Sequence, residues 1–124
     1  MKKCILVVED DHTLAGAVEA RLQSDGYEII LAYDGEEAVE FINKKNIDLA
    51  LLDVMLPKMN GHGVCAYIRS KKKFEHIPVI MMTALNTMAD IDEAFRCGAN
   101  DYIVKPFSFE RLTSKVQKLL EQNK

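Results

Sequence analysis

The sequence is poor in cysteine, has no long hydrophobic run, and carries little excess charge of either sign. The three cysteines, Cys4, Cys65 and Cys97, are widely spaced and form no C-x-x-C pair, which excludes a disulfide framework and a zinc ribbon. A reducing cytoplasm is the expected compartment. No apolar stretch approaches the roughly 18 to 20 residues needed to span a bilayer. Met1-Lys2-Lys3 leads into a short apolar run that stops at Glu9, so this opening reads as a strand rather than a signal peptide. Sixteen basic against nineteen acidic residues leave a net charge of -3, too little positive charge for a nucleic-acid footprint. There is no G-x-x-x-x-G-K-[ST] loop and no G-x-G-x-x-G after the first apolar run, so nucleotide and dinucleotide ligands lack their phosphate cradle. Repeats, low-complexity tracts and linkers are absent too, and Lys71-Lys72-Lys73 is a short solvated run.

What is present fits one domain spanning residues 1–124, free-standing or excised from a longer chain, with 48% hydrophobic and 28% charged residues. Five short apolar runs predict strands over Cys4 to Val8, Tyr27 to Ala32, Leu49 to Leu52, Val79 to Met82 and Tyr102 to Val104. Between them, apolar residues recur at helical spacing: Leu14, Val18 and Leu22, then Ala38 and Ile42, and finally Phe109, Leu112, Val116 and Leu119. Asp34 with Glu37 reads as a capping box, Ser108 as the cap of the last helix, and Gly26 and Gly98 as left-handed helix ends. Runs one, three and four are apolar throughout, as in parallel strands buried on both faces, while runs two and five carry polar residues and look like sheet edges. The expected fold is α/β, a doubly wound (βα)5 flavodoxin-like sandwich whose functional crevice lies at the carboxyl ends of the strands.

Those ends carry Glu9, Asp10 and Asp11 after the first strand, Asp53 at the third, Thr83 after the fourth and Lys105-Pro106 after the fifth. Converging carboxylates repel one another, and a divalent cation relieves that repulsion. Oxygen ligands with no nearby His or Cys favour Mg²⁺. A Mg²⁺ site, a lysine and a hydroxyl in one crevice are the parts that phosphoryl transfer needs. An FMN phosphate is excluded because Glu9-Asp10-Asp11 stands where it would need donors. With no nucleotide loop, a protein side chain remains as the phosphorylated group, and a carboxylate nucleophile suits this role.

The segments Leu6-Val7-Val8-Glu9-Asp10-Asp11, Leu52-Asp53-Val54-Met55-Leu56-Pro57, Met59-Asn60-Gly61, Pro78-Val79-Ile80-Met81-Met82-Thr83-Ala84, Gly98-Ala99 and Asp101-Tyr102-Ile103-Val104-Lys105-Pro106-Phe107 together resemble the CheY-like receiver domain of a two-component response regulator. The resemblance covers roughly residues 3 to 122. It implies a five-stranded parallel sheet of order 2-1-3-4-5 and a cis Lys105-Pro106 bond. It also implies Asp53 as phosphoacceptor and Asp10, Asp53 and the Met55 carbonyl as Mg²⁺ ligands, with Glu9 acting through water. Lys105 is implied as the phosphate-pairing residue, and Thr83 with Tyr102 as the switch pair. Met55 and Leu85 are implied to flank the path of the attacking water. The function this implies is a phosphorelay switch that catalyses its own phosphorylation from a phosphohistidine and its own slow dephosphorylation. Its partners would be a sensor histidine kinase or histidine phosphotransfer protein, and a downstream effector or fused output domain.

Each residue alone has an ordinary explanation: Asp53 as a loop-capping carboxylate, Thr83 as a helix cap, Lys105 as a surface lysine, Tyr102 as an edge-strand aromatic. Their coincidence at the strand ends argues for the site. His12, His62 and His76 share no ligand spacing and read as solvent or turn residues, and Cys65 and Cys97 read as small buried hydrophobes on helices. Two alternatives stay open. An aspartyl-phosphate hydrolase would place its nucleophile at the first strand and needs a substrate cap for which no segment is available. A pseudo-receiver, a purely structural interaction module, would be expected to lose Asp53, Asp10 or Lys105. A monomer is expected, because Ile91, Arg111, Cys97 and Asn100 occupy positions where winged-helix regulators resembling this chain carry the charge pairs of a dimer. Met88, Ile91 and Tyr102 would instead form an apolar patch facing a partner.

Overall fold

The computed structural model describes residues 2–84 and 88–122; Leu85 therefore lies outside the described residues. Strands and helices alternate along the chain: β1 (Cys4–Val8), α1 (His12–Ser24), β2 (Glu28–Ala32), α2 (Gly35–Lys44), β3 (Leu49–Asp53), α3 (Gly61–Ser70), β4 (Val79–Thr83), α4 (Met88–Arg96), β5 (Asp101–Val104) and α5 (Phe109–Gln122). All pairings are parallel and the sheet order is β2-β1-β3-β4-β5, so the two polar runs form the edges. The order is as the resemblance implies.

Because side chains alternate across a strand, each continuous apolar run feeds two cores. Leu6, Val8, Ala50, Leu52, Val79 and Met81 pack on one face with Ala38, Ile42, Val64, Ile68 and Ala94 of α2, α3 and α4. Ile5, Val7, Leu49, Leu51, Ile80 and Met82 pack on the other with Val18 and Leu22 of α1 and Leu112, Val116 and Leu120 of α5. In α5 the last buried contact is Leu120, with Leu119 only partly buried; the helix turns its final position one residue beyond the spacing expected from the sequence.

The helix ends are built from short polar side chains. Asp11 caps α1 by accepting the amides of Thr13 and Leu14 at 3.0 and 3.2 Å. Asp34 caps α2 by accepting the Glu37 amide at 2.8 Å, but Glu37 reaches back to the Tyr33 amide at 2.7 Å, so the box is shifted by one residue. Asn60 caps α3 and the Ser108 hydroxyl accepts the Arg111 amide. Gly26 and Gly98 have φ of 99° and 101°, the left-handed helix ends expected of them.

Arg69 of α3 joins the segments around β4 and β5. Its guanidinium donates to the carbonyls of Gly98, Glu75 and Ile77 at 2.9, 3.0 and 2.7 Å and to Asn100 Oδ1 at 2.8 Å. Asn100 Oδ1 in turn accepts the Val79 amide, tying the start of β4 to the turn before β5. Truncating such a donor leaves several part-buried acceptors unpaired, which costs about 1–3 kcal/mol. Arg69→Leu is therefore expected to lower the midpoint of urea unfolding by an amount equivalent to about 2 kcal/mol, with the slope unchanged. An unchanged midpoint would show that the clamp is dispensable.

Candidate functional site

The parallel register brings the strand ends to one level. Val8 is paired with Leu52, Asp53 with Met82 and Thr83 with Val104, so the residues that end or follow β1, β3, β4 and β5 lie side by side. The Val54 amide donates to the Met82 carbonyl at 3.1 Å and the Lys105 amide to the Thr83 carbonyl at 2.7 Å, which extends the ladder past the strands into the site. The loop after β3 folds back over the same end. Its Gly61 amide donates to the Val54 carbonyl, and any Cβ at Gly61 would collide with the Asp53 carbonyl oxygen. Lys58 in that loop takes a left-handed φ of 67°, and its ammonium stands 3.7 Å from Asp34.

Glu9 and Asp53 are buried, at 1% and 5% exposure, whereas Asp10 is exposed. Carboxylate oxygens of the three lie within 4.8 Å of one another. Lys105 ion-pairs with Glu9 and stands 3.2 Å from Asp53 Oδ2, while Asp53 Oδ1 accepts the Met55 amide at 3.2 Å. The second Glu9 oxygen accepts the Asp11 amide. Burial, with the neighbouring Asp53 carboxyl, pushes Glu9 above the usual carboxylate range, and Lys105 offsets only part of this. For Lys105 burial alone would pull the ammonium down; its bond to Glu9 and the charges of Asp53 and Glu9 outweigh burial and hold it above its ordinary value.

The donor set fits a hard divalent cation. Three carboxylates against one ammonium leave two negative charges uncompensated, the charge that one Mg²⁺ would balance, and every side-chain ligand atom is an oxygen. Asp11, counted with the crevice from its position in the sequence, spends its side chain on capping α1 instead.

Thr83, 6% exposed at the end of β4, and half-buried Tyr102 on β5 line one small cavity of about 20 Å³ together with Val54, His62, Asp90, Ile91, Glu93 and Ala94. Tyr102 meets Phe95 of α4 edge-on, ring centroids 5.9 Å apart, with the Lys115 ammonium 5.9 Å above its ring. The structure thus brings together Glu9, Asp10, Asp53, Met55, Thr83 and Lys105, with Tyr102 across the adjoining cavity. The Lys105-Pro106 bond is cis. His12 is exposed, as expected of a solvent residue, and stacks on Tyr33 at 3.9 Å where it opens α1; His62 departs from that expectation, lying on α3 against the cavity. His62 Nδ1 is 3.7 Å from Glu93 and its Nε2 is buried without a hydrogen-bond partner among the described residues.

The model of the response regulator receiver domain matches residues 5–117. A probable transcriptional regulator ycf27 of Cyanophora paradoxa is 44% identical over 98% of this chain and 49% of its own length, and that of Porphyra purpurea 41% over the same shares. The chain spans about half the length of these curated relatives. A putative response regulator from Chloroflexus aurantiacus superposes with a TM-score of 0.93 at 35% identity, covering 98% of this chain and 99% of that one. The receiver domain of a signal transduction histidine kinase from Syntrophus aciditrophicus gives 0.91 at 35%, covering 97% and 91%. Among the described residues no helix is long and apolar enough to cross a membrane.

If Glu9, Asp10 and Asp53 hold Mg²⁺, millimolar Mg²⁺ raises the melting temperature, by an amount equivalent to about 2.7 kcal/mol at a hundredfold excess over Kd. Asp10→Asn should lose most of that gain; an equal gain in both proteins would exclude the carboxylate site. Protons compete with the cation for Glu9, whose pKa is raised, so the Mg²⁺ effect should fade on acidification earlier than for an ordinary carboxylate. Without metal the sign reverses. The fold binds the Glu9 proton more readily than the unfolded chain does, so this group adds stability as pH falls from the raised value toward the ordinary one.

Proposed function

The chain belongs to the receiver domain family of response regulators, the phosphorylation-dependent signalling switches of two-component systems, and on that premise we propose that Asp53 is its phosphoacceptor. The observation that carries this reading is the position of the Asp53 carboxylate. It is buried at the centre of the sheet end, with Oδ1 held by the Met55 amide, Oδ2 beside Lys105, and two further carboxylates within 4.8 Å. Residues 1–124 act as one such domain, with no membrane segment and no direct nucleic-acid contact of their own. The donor is a phosphohistidine of a sensor kinase or a histidine phosphotransfer protein, and the setting is the cytoplasm.

A bond forms between a carboxylate oxygen of Asp53 and phosphorus as the bond from phosphorus to the imidazole nitrogen breaks. Because the transition state is loose, the work of the chain is positioning and charge neutralisation. Asp10, Asp53 and the Met55 carbonyl, with Glu9 acting through water, would hold a Mg²⁺, which would supply positive charge against the phosphoryl oxygens. Lys105, already beside Asp53, pairs with one of those oxygens in the product. In this way the domain promotes its own phosphorylation. Thr83 turns its hydroxyl to another phosphoryl oxygen, and Tyr102 responds through the cavity that both line. Inward movement of Tyr102 would repack the cavity against α4, and the contact with Phe95 passes the change to the outer surface. The effector or output domain reads that surface. The domain acts as a monomer: Asp101, the acid left for a charge-paired dimer, is bonded at 3.0 Å to Lys115 of its own chain.

Incubation with a small phosphodonor and Mg²⁺, followed by intact mass, should add one labile phosphoryl group to the wild type and none to Asp53→Asn, whose thermal melt stays cooperative. Lys105→Ala should still be phosphorylated but transmit the signal to its effector poorly. Stoichiometric phosphorylation of Asp53→Asn at another residue would sink the assignment. Sustained turnover of the donor would favour a hydrolase, and an unmodified wild type a pseudo-receiver.

Met55, at 68% exposure, presents a thioether two residues past Asp53, and Leu85 follows Thr83 by the same spacing. Neither side chain can orient an attacking water with a strong hydrogen bond. The phosphoryl group should therefore be long-lived, and the double variant Met55→Asn, Leu85→Glu should shorten its half-life several-fold. An unchanged or longer half-life in that variant would remove this explanation.

A further inference from the structure

Two thiols outside the phosphorylation site face one another where α3 meets the turn between α4 and β5. Cys65 projects from α3 and is fully buried; Cys97 follows the last residue of α4 and is only partly buried. Cys97 is thus not on a helix, as the sequence pattern had suggested. The Cys65 thiol donates to the Cys97 carbonyl oxygen at 3.1 Å, which sets its sulfur against the Cys97 residue. As a thiol, Cys97 donates to the Ala94 carbonyl at 3.0 Å.

The surroundings of Cys97 favour its anion. The neighbouring Cys65 thiol, free to turn its proton from the carbonyl to the sulfur once Cys97 ionises, contributes most; the backbone amides of Ala99 and Cys97 add to it, and the Arg69 guanidinium contributes as well. Together they outweigh burial and hold the Cys97 thiol down to about 7. The neighbouring Cys97 sulfur, together with burial, pushes the Cys65 thiol up. Cys4 offers a contrast within the molecule: it is buried in β1, and burial with the charges of Glu28 and Asp48 raises its thiol to about 11. One partly exposed, anion-stabilised sulfur beside a buried partner thiol is the arrangement in which an oxidised cysteine is resolved within the chain.

We propose that Cys97 and Cys65 form a reversible oxidation site, in which a peroxide oxidises Cys97 and Cys65 closes a disulfide across the joint between α3 and the α4–β5 turn. The Cys97 thiolate attacks one oxygen of hydrogen peroxide. The O–O bond breaks, the sulfur gives up two electrons, and hydroxide leaves. The Cys65 sulfur then attacks the sulfenic sulfur, and the S–O bond breaks as the Cys65 proton departs with the hydroxyl group as water. A dithiol reverses the bridge by exchange. The bridge ties α3 to the segment leading into β5 and Tyr102, giving the signalling surface an input separate from Asp53.

The test treats the full chain with hydrogen peroxide, quenches it, and reads intact mass and peptide maps. The wild type should lose two hydrogens, yield a linked Cys65–Cys97 peptide, and regain its mass with dithiothreitol. Cys65→Ser should stop at a sulfenic acid that dimedone traps on Cys97. Cys97→Ser should react about tenfold more slowly or less. In Cys4→Ser, alkylation of Cys97 by iodoacetamide should be half-maximal near pH 7. Four results would overturn the proposal: no mass loss in the wild type, dimedone on Cys4 in place of Cys97, a bridge between chains only, or oxidation of Cys97→Ser as fast as the wild type. The wild-type mass and map need no variant to fold, so the outcome is decisive in either direction.

Discussion

Lys105 reaches from the edge of the sheet to Asp53 at its centre and to Glu9 beside it, and this contact organises the upper face of the molecule. The carboxylates are there because two neighbouring strands, β1 and β3, end side by side, and parallel pairing leaves them no way to splay apart. An ammonium in their midst keeps the cluster tolerable without metal, yet leaves enough uncompensated charge to attract a divalent cation. It also sits where a phosphoryl group on Asp53 would bring new negative oxygens. The same residue thus stabilises the resting cluster and is poised to neutralise the modified one.

Around this contact the fold is stiff where position matters. Gly61 permits the β3–α3 loop to lie directly against the Asp53 backbone, and the loop is pinned from the other side by α2, where a Cβ at Gly35 would collide with the Met59 backbone. The neighbouring side toward α4 is looser. Thr83 and Tyr102 share a small cavity there, and the contact between α4 and β5 includes the edge-on pair of Phe95 and Tyr102. Arg69 and Asn100 anchor the far end of that region by hydrogen bonds to backbone carbonyls and to the Val79 amide, with Cys65 and Cys97 immediately beside them. A rigid carboxylate cluster next to a deformable joint is the arrangement a switch requires, since a small charge change at one must repack the other.

Much of this was legible in the chain. The apolar run Cys4 to Val8 is β1 without adjustment, and the other four strands differ from their apolar runs by one residue at one end. In β2 the run overshoots by Tyr27, and the other three differences have a common cause. Asp53, Thr83 and Asp101 belong to the hydrogen-bonded ladder although their side chains are polar, and a reading of apolar residues stops short of them. Leu120 takes the core position that spacing gave to Leu119, since residues three and four beyond Val116 share a helix face and only packing chooses between them. Asp11 looked like a fourth site carboxylate and proved to be a helix cap, since the chain turns into α1 immediately after Asp10. The inward placement of His62 and the pairing of Cys65 with Cys97 left no mark in the sequence.

By itself the sequence determined the alternation of strands and helices, the two polar edge strands, and the set of acidic, hydroxyl and basic residues at the strand ends. These follow from local periodicity and from the chemical character of single residues. The tertiary structure alone decided which of those side chains meet: Lys105 with Glu9 and Asp53, Tyr33 with Glu37, Arg69 with Asn100, Cys65 with Cys97. Most of these contacts join residues distant along the chain, and each depends on strand register, cap geometry and helix packing at the scale of a single hydrogen bond. A hydrophobic pattern specifies which face of an element is buried, but not the position along its neighbour at which that face comes to rest.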